Sequence, residues 1–312
     1  MMRIVLCCAT HRGYRVLQQL HKLAPECELV VFSFREDPWE PPFMDSTRDL
    51  TLSLGGQFFE SRKLTPPALE QFWESTPVDL LLSVSWRYMI PAHIYRRARL
   101  GAYVLHDSML PLYRGFSPTV WAMINGEKTT GASLFEMADA VDAGDIVDQQ
   151  SIPIGDNEAI TAILARVTET YLTLLERNLH NLITGTARGI PQDHARASYT
   201  CKRRLTDNEI DWSLSATQIH NLVRAVSSPY PGAFTYHNGQ ILRVWSASRI
   251  TPSRRYIGAI PGRVVEVQPG KGTVILTGQG ELLLGNVQYE KSAPTRADLL
   301  LNKIGQSLGR QH

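Results

Sequence analysis

The chain has 312 residues, of which 43% are hydrophobic and 20% are charged, and its formal net charge is +2. These values are typical of a soluble globular protein with enough chain for two domains. No apolar run reaches the roughly 18 residues that a membrane-spanning helix needs. The N-terminus also lacks the long apolar region and the cleavage site of a signal peptide. The composition therefore predicts a protein without a membrane span.

The four cysteines are Cys7, Cys8, Cys27 and Cys201. None of them forms a CxxC pair, and no histidine stands at the spacing of a zinc finger. We therefore expect buried thiols in a reducing cytoplasm and no metal site. Nothing in the pattern supports a nucleophilic cysteine.

The first 90 residues alternate between strand and helix patterns. The runs MRIVLCC and CELVVFSF predict buried strands, and VDLLLSVSW is apolar on both faces, as in a parallel sheet covered by helices. Between them, HRGYRVLQQLHKL carries apolar residues at every third position, and DLTLSLGG and LEQFWESTP are shorter helix candidates. This alternation predicts a doubly wound, Rossmann-like α/β domain. The turn CCATHRGY lacks a GxGxxG loop, which disfavours a dinucleotide.

The pattern changes twice in the rest of the chain. Two strand candidates, TTGASLFEM and AGDIVDQQSIPI, precede a long amphipathic helix that is expected to stop near Gly185. Residues 191–206 are polar and basic, which indicates a linker that follows a catalytic domain at 1–190. In residues 207–312, short strands alternate with glycine-marked turns and predict a small OB-like β-barrel, closed by a helix at TRADLLLNKIG.

His106 is the first candidate for chemistry, because it follows an apolar strand in the segment VLHDSMLPLYRG. Ligands of α/β proteins bind beyond the carboxyl ends of the strands. Asp142, in AVDAGDIV, is either an ordinary turn aspartate or a carboxylate that orients an imidazole for proton transfer. The sequence alone does not place Asp142 beside His106.

The stretch LHDSMLPLYRG, followed by INGE, TGASLFEM and VDAGDIV, resembles the folate-dependent formyltransferase family. The segment EIDWSLSATQIHNLVRAVSSPYPGAF is similar to the start of that family's C-terminal domain, so the resemblance covers nearly the whole chain. The family includes methionyl-tRNA formyltransferases and nucleotide-sugar N-formyltransferases. The resemblance implies a formyltransferase whose co-substrate is N10-formyltetrahydrofolate and which needs no metal.

The resemblance also implies roles for particular residues. The family histidine, which carries the proton of the attacking amine, maps to His106, and the aspartate that supports it maps to Asp142. The loop that lies along the folate maps to Ser108, Met109, Leu110 and Pro111. The backbone wall around the pterin end maps to Ala138, Asp139, Ala140 and Val141.

Val104 is the main departure from the family, which has an oxyanion-stabilising asparagine at this position. Valine has no side-chain donor, and the loss of one such donor can cost roughly 10²–10³ in rate. Three explanations are open. Protonated His106 donates in its place; Ser108 or a backbone N–H substitutes; or the chain is a folate-binding relative with little turnover or with different acyl chemistry.

Two further positions differ from the family. Asp107 replaces a small residue, and it is expected to point away from His106 if the backbone is still extended there. It either makes a local turn bond or contacts the incoming amine. Phe116 stands where a related class carries an arginine near the folate, so the usual charge partner of the folate tail is missing from that position.

The charge pattern bears on the acceptor. Methionyl-tRNA formyltransferases carry a basic insertion soon after the second strand, where this chain has REDPWEPPFMDS, whose Glu36, Asp37 and Glu40 repel RNA. Residues 207–312 hold 11 Lys and Arg against 7 Asp and Glu, which is only mildly basic. The sequence therefore favours a nucleotide-linked amino sugar and disfavours nucleic acid, with methionyl-tRNA formyltransferase as the alternative. The aromatic side chains that could stack on a nucleotide base are Trp39, Phe43, Tyr113 and Trp121.

Overall fold

The structure is a computed structural model that describes residues 2–65, 67–251 and 254–310. The chain divides into two compact units. The first unit contains Met1–Thr119, Thr129–Pro153 and Leu164–Cys201, and the second contains Val120–Lys128, Ile154–Ile163 and Lys202–His312. Within the described ranges, no helix combines the length and the apolar character that crossing a membrane requires.

Strands and helices alternate along the chain as far as the fifth strand. In chain order, the elements are β1 (Arg3–Cys8), α1 (Thr10–Leu23), β2 (Glu28–Ser33), α2 (Met44–Ser53), β3 (Gln57–Glu60), α3 (Glu70–Ser75), β4 (Leu80–Val84), α4 (Ala92–Tyr95), β5 (Ala102–His106), β6 (Arg114–Gly115), α5 (Pro118–Ile124), β7 (Thr129–Glu136), β8 (Ile146–Pro153), α6 (Ile160–Thr184) and β9 (Tyr199–Thr200).

The first unit is built on a seven-stranded sheet in the order β3-β2-β1-β4-β5-β7-β8. The first five of these strands are parallel, and β1 and β4 are almost wholly buried because their apolar residues face both sides of the sheet. The Rossmann-like prediction is thus confirmed. Both β7 and β8 run antiparallel to their neighbours, which the sequence pattern did not indicate.

The second unit has an antiparallel architecture. Its later elements are α7 (Ala216–Ala225), β10 (Ala233–His237), β11 (Gln240–Val244), β12 (Ala247–Arg249), β13 (Val264–Gln268), β14 (Gly272–Leu276), β15 (Glu281–Leu284), β16 (Asn286–Tyr289), β17 (Thr295–Arg296) and α8 (Ala297–Leu300). The strands form two four-stranded sheets in the orders β10-β11-β16-β17 and β12-β15-β14-β13. The predicted terminal helix is only the single turn α8, because the residues before it pair with β16 as β17.

The thiols follow the expected pattern with one exception. Cys7, Cys8 and Cys27 are buried, whereas Cys201 is exposed, contrary to the prediction that all four lie in the interior. Burial raises the pKa of the Cys8 thiol to about 12, so this group stays protonated at neutral pH. Its environment is that of a small buried hydrophobic side chain.

Candidate active site

His106 is the last residue of β5, at the carboxyl end of the parallel part of the sheet. Strand β5 lies between β4 and the antiparallel β7, where His106 is opposite Ser133. Alternate residues of a strand share a face, so the half-buried Val104 lies on the same side of the sheet as His106. The position that holds the family asparagine is therefore on the histidine's face, and it offers only methyl groups.

The His106 ring is held between two oxygen atoms. Its Nε2 lies 3.0 Å from the carbonyl oxygen of Tyr113, and its Nδ1 lies 3.6 Å from Oδ2 of Asp142. A carbonyl only accepts hydrogen bonds, so Nε2 carries a proton. The Asp142 contact is longer than a hydrogen bond, but it is within ion-pair range.

Asp142 reaches the histidine from a loop 36 positions later in the chain. Its φ is +49°, a left-handed conformation that Asp tolerates better than most residues. The same carboxylate oxygen that faces His106 accepts a 2.7 Å hydrogen bond from the backbone N–H of Gly115. The structure thus brings together the two residues that the family resemblance pairs; their catalytic role stays a prediction.

A buried network fixes the Asp142 loop, and the sequence analysis missed it. Gln192 donates to the carbonyl oxygens of Asp142 and Gly144, at 2.9 and 2.6 Å. Its own side-chain oxygen accepts from the buried guanidinium of Arg114, which also donates to the Tyr199 hydroxyl. Gln192 lies in the stretch that we interpreted as a linker. No spacing or composition signal distinguishes this glutamine from the polar residues around it.

The carboxylate of Asp107 contacts two side chains from other parts of the chain, which the sequence did not predict. Its Oδ2 accepts a 2.8 Å hydrogen bond from Thr119, and its Oδ1 lies 3.5 Å from the guanidinium of Arg12, whose Cζ is 5.0 Å from the Tyr171 ring centroid. Burial raises the pKa of Asp107, but Arg12, His106 and Thr119 outweigh burial and hold the pKa below its ordinary value. Asp107 is therefore an ionised, internally paired group, and nothing supports a direct role toward an amine.

This pKa leads to a pH prediction for Asp107→Asn. Because the folded-state pKa is lowered, the ionised carboxyl stabilises the fold above about pH 4, and this contribution is lost as the pH falls through the folded-state pKa. We expect the variant to lose about 1–3 kcal/mol of unfolding free energy at pH 7. The difference from the wild type should shrink below pH 4, as measured by urea unfolding.

The control for this measurement is Asp139→Asn, which makes the same chemical change on an exposed loop. This variant should follow the wild type across the pH range. A constant deficit of Asp107→Asn from pH 7 to pH 3 would contradict the assignment, because it would mean that the lost stability does not depend on ionisation.

The loop Ser108–Pro111 is held by its own polar groups. The Ser108 hydroxyl donates to the carbonyl of Leu112 at 2.7 Å, and Gln149 donates to the carbonyl of Leu110 at 2.9 Å. Because the single hydroxyl proton of Ser108 is already used, this residue is not a free oxyanion donor, and that explanation for Val104 is disfavoured. Met109 is half-buried and packs against the buried Gly131.

The predicted pterin wall, residues 138–141, leads into Asp142 and is largely exposed. Ala138 is half-buried, whereas Asp139, Ala140 and Val141 are exposed. The Asp139 carboxylate accepts hydrogen bonds from Tyr95 and Arg96. Across the described ranges, no group of three or more His, Cys, Asp and Glu side chains is arranged to hold a metal ion.

The aromatic candidates for base stacking separate into different environments. Phe43 is only 2% exposed and packs edge-on against Phe34, so it is not available for stacking and that prediction is wrong. Trp39 is exposed and Tyr113 is half-buried. Trp121 belongs to the second unit, where the guanidinium of Arg203 lies 4.8 Å from the centroid of its ring.

Three solved structures are similar to this chain at identities that show the fold alone. HypX from Aquifex aeolicus in complex with tetrahydrofolic acid is 20% identical, with a TM-score of 0.61; the match covers 96% of this chain and 47% of HypX, so this chain spans about half of that protein. The N-formyltransferase from Helicobacter canadensis, in complex with folinic acid and dTDP-3-aminofucose, is 16% identical, with a TM-score of 0.67 and coverage of 93% and 100%. A sugar N-formyltransferase from Shewanella sp FDAARGOS_354 is 16% identical, with a TM-score of 0.63 and coverage of 81% and 100%.

Family models decide the classification. The model described as formyl transferase matches residues 10–179, and the model described as formyl transferase, C-terminal domain, matches residues 204–305. Together they cover most of both units, and the first one alone covers more than half of the chain. The chain therefore belongs to the formyl transferase family, enzymes of the transferase class.

Proposed function

We propose that this enzyme moves a formyl group from N10-formyltetrahydrofolate to the amine of a nucleotide-linked amino sugar. The observation that carries the proposal is the His106–Asp142 pair at the carboxyl end of β5. The acceptor class is supported by the Helicobacter canadensis relative, which was crystallised with folinic acid and dTDP-3-aminofucose. Tetrahydrofolic acid bound to HypX supports the one-carbon donor.

In this proposal, His106 moves the proton and Asp142 positions the ring. Bound formyltetrahydrofolate supplies an activated formyl carbon, to which the acceptor nitrogen forms a bond while the bond to the folate nitrogen breaks. His106 takes the proton that the acceptor nitrogen loses and returns it to the leaving nitrogen. Asp142 faces Nδ1, so in the reacting ring Nδ1 carries the resident proton, and the unprotonated Nε2 is the nitrogen that exchanges the transferred one. The acceptor amine must then replace the Tyr113 carbonyl as the partner of Nε2.

The loops beside His106 and Asp142 fit a flat, partly apolar co-substrate. Leu112, Phe116 and Val141 are exposed at 38%, 40% and 44%, which is high for large apolar side chains. All three lie on the loops that follow His106 or precede Asp142. We assign the folate contact to Ser108–Pro111 and the pterin wall to Ala138–Val141. The backbone of this loop is tied by the hydrogen bonds from Ser108 to Leu112 and from Gln149 to Leu110.

The proposal needs a donor for the oxyanion, since Val104 offers none. His106 can supply it once its Nε2 has taken the proton of the acceptor nitrogen, because the ring then carries an N–H that can donate to the oxyanion. A single ring that both moves the proton and stabilises the oxyanion is a weaker arrangement than a histidine with a separate, permanently placed amide. Turnover is therefore expected to be slow for this chemistry.

Val104→Asn tests this reasoning by restoring an amide on the face of His106. We expect kcat to rise about tenfold, a fraction of the 10²–10³ that a preorganised donor is worth, because the surroundings of Val104 are not built for an amide. Single-turnover rates measured with saturating formyl donor isolate the chemical step. Leu52→Asn adds an amide at an exposed position on α2, outside the assigned loops, and should leave the rate unchanged. An unchanged rate for Val104→Asn would show that another group already fills the role.

The charge argument against RNA is weaker in the structure than in the sequence. Arg87 forms ion pairs with both Glu40 and Asp37. These pairs partly neutralise the negative charge of the segment after β2. A formylation assay must therefore distinguish a sugar acceptor from a tRNA acceptor. The alternative, formylation of initiator methionyl-tRNA, is included as one arm of it.

The assay supplies N10-formyltetrahydrofolate with dTDP-linked and UDP-linked amino sugars, free amino sugars, and charged initiator tRNA. Mass spectrometry detects the added formyl group, and the His106→Ala variant gives the background. We expect formylation of at least one nucleotide-linked sugar. If only the tRNA is formylated, the acceptor assignment is wrong. If tetrahydrofolate binds and no acceptor is formylated, the proposal that this protein transfers a formyl group is wrong.

A further inference from the structure

A cavity lies away from the residues assigned to catalysis. It has a volume of about 680 Å³, within the range of small-molecule sites, and every residue that lines it belongs to the second unit. Its walls come from α5, α7, β12 and the segment 203–209. The apolar part of the lining consists of Trp121, Ile124, Leu214 and Leu222.

Arg224 brings a buried positive charge to this cavity. Its guanidinium donates to Oδ1 of Asn221 at 3.0 Å and to the carbonyl oxygens of Gly155 and Glu158 at 2.9 and 3.3 Å. All three acceptors are neutral. They accept from Nε and Nη1 only, so Nη2 has no hydrogen-bond acceptor among the described residues. Burial lowers the pKa of Arg224, although Asp156 and Glu158 oppose this shift.

Arg203 repeats this arrangement on another wall. It donates to the carbonyl oxygen of Asp207 at 2.9 Å and to Oδ1 of Asn208 at 2.7 Å, and its guanidinium covers the Trp121 ring. Burial lowers its pKa as well. Among the described residues, neither Arg203 nor Arg224 has a carboxylate oxygen within the 4.0 Å that defines an ion pair.

The carboxylates of the lining attract the two guanidinium groups only from beyond ion-pair range. Each already has a partner at short range. These partners are Lys128 and Arg249 for Asp156, Arg310 for Glu209, and the backbone N–H of Arg204 for Asp207. The lining holds four cationic side chains against three carboxylates, so it keeps an excess of positive charge beside an apolar surface. The cations are Lys128, Arg203, Arg224 and Arg249, and the carboxylates are Asp156, Asp207 and Glu209. An anionic ligand would balance this charge beside the buried Arg224 and the half-buried Arg203.

We propose that this cavity binds an organic phosphate of about nucleotide size, with the phosphate facing Arg203 and Arg224 and the organic part covering Ile124 and Leu222. Guanidinium groups match the oxygens of a phosphate through paired hydrogen bonds. The volume exceeds what an inorganic ion needs, and the apolar wall favours a ligand with a carbon body. The site is separate from formyl transfer, because none of its lining residues takes part in that proposal.

Isothermal titration calorimetry of the full chain tests the site with AMP, UMP and dTMP, and with inorganic phosphate and citrate as the comparison arms. We expect one nucleoside monophosphate to bind once per chain and more tightly than phosphate or citrate. Thr217→Glu should weaken this binding at least tenfold, because it adds a negative charge to the cavity wall. Thr217 is exposed in the first turn of α7, where a carboxylate is well tolerated, so the variant should fold.

Gln240→Glu is the matched control, since it adds the same charge at an exposed position outside the cavity and should leave binding unchanged. Arg203→Met, which keeps the length of the side chain and removes its charge, should weaken binding as Thr217→Glu does. The inference is overturned if no nucleoside monophosphate binds with a Kd below about 1 mM. It is equally overturned if citrate binds more tightly, or if binding persists in both cavity variants.

Discussion

Replacing His106 with alanine is expected to lower kcat for formyl transfer by about 10³-fold, within the 10²–10⁴ that a positioned proton carrier contributes. Among the residues assigned to the site, His106 is the one that combines a carboxylate partner, Asp142, with a position at the carboxyl end of β5. Its loss removes the group that we assign to proton transfer and to the oxyanion. The measurement is the initial rate with the best acceptor from the panel, at saturating formyl donor.

The effect on folding should be small by comparison. His106→Ala removes one hydrogen bond, to the Tyr113 carbonyl, worth about 1 kcal/mol, and a shift in Tm of about 2–4 °C is expected. His93→Ala, at an exposed position on α4, is the matched control and should retain full activity. A His106→Ala enzyme with activity close to that of the wild type would rule out this residue as the proton carrier.

Asp142→Asn is expected to lower kcat by about 10²-fold, with the KM for the formyl donor changed little. Asparagine keeps an oxygen that can accept from the Gly115 N–H, so the loop geometry is preserved while the charge that faces Nδ1 of His106 is lost. Without this charge, the ring loses the carboxylate that faces Nδ1 and is oriented less firmly. The split between kcat and KM separates positioning of the ring from general damage to the fold.

Asp49→Asn is the control for this variant, because it makes the same chemical change outside the loops assigned to the site. Asp49 is exposed on α2 and pairs with Arg48, so its replacement should leave kcat unchanged. An Asp142→Asn variant in which KM rises and kcat is preserved would show that this aspartate serves binding. Equal losses in both variants would assign the effect to the loss of one negative charge and not to its position beside His106.

The predictions from the sequence succeeded where the signal is local. Strand β4 is apolar at nearly every position, and burial on both faces of a parallel sheet is the physical origin of that pattern. Helix α6 ends at Thr184, next to the glycine that was expected to stop it. The antiparallel direction of β7 could not be predicted, because a strand has the same hydrophobic pattern in either direction.

The exposed and buried states of single side chains were harder to predict. Phe43 and Trp39 stand four residues apart in one proline-rich segment, yet only Phe43 is buried, because it packs against Phe34 at the end of β2. Cys201 is exposed although cysteine is usually buried. The exposure of these side chains depends on which elements pack over the segment, and a single sequence does not show this packing.

By itself, the sequence determined the α/β class of the first unit, the antiparallel character of the second, the family, and the identity of His106, Asp142 and Val104 as the positions to examine. Each depends on short-range patterns or motif spacing, which are written directly in the chain. Only the tertiary structure decided that Asp142 faces His106, that Asp107 is paired with Arg12, and that Gln192 ties down the Asp142 loop. These contacts join residues 36 to 95 positions apart, and such distances are closed by the packing of the sheet and its loops.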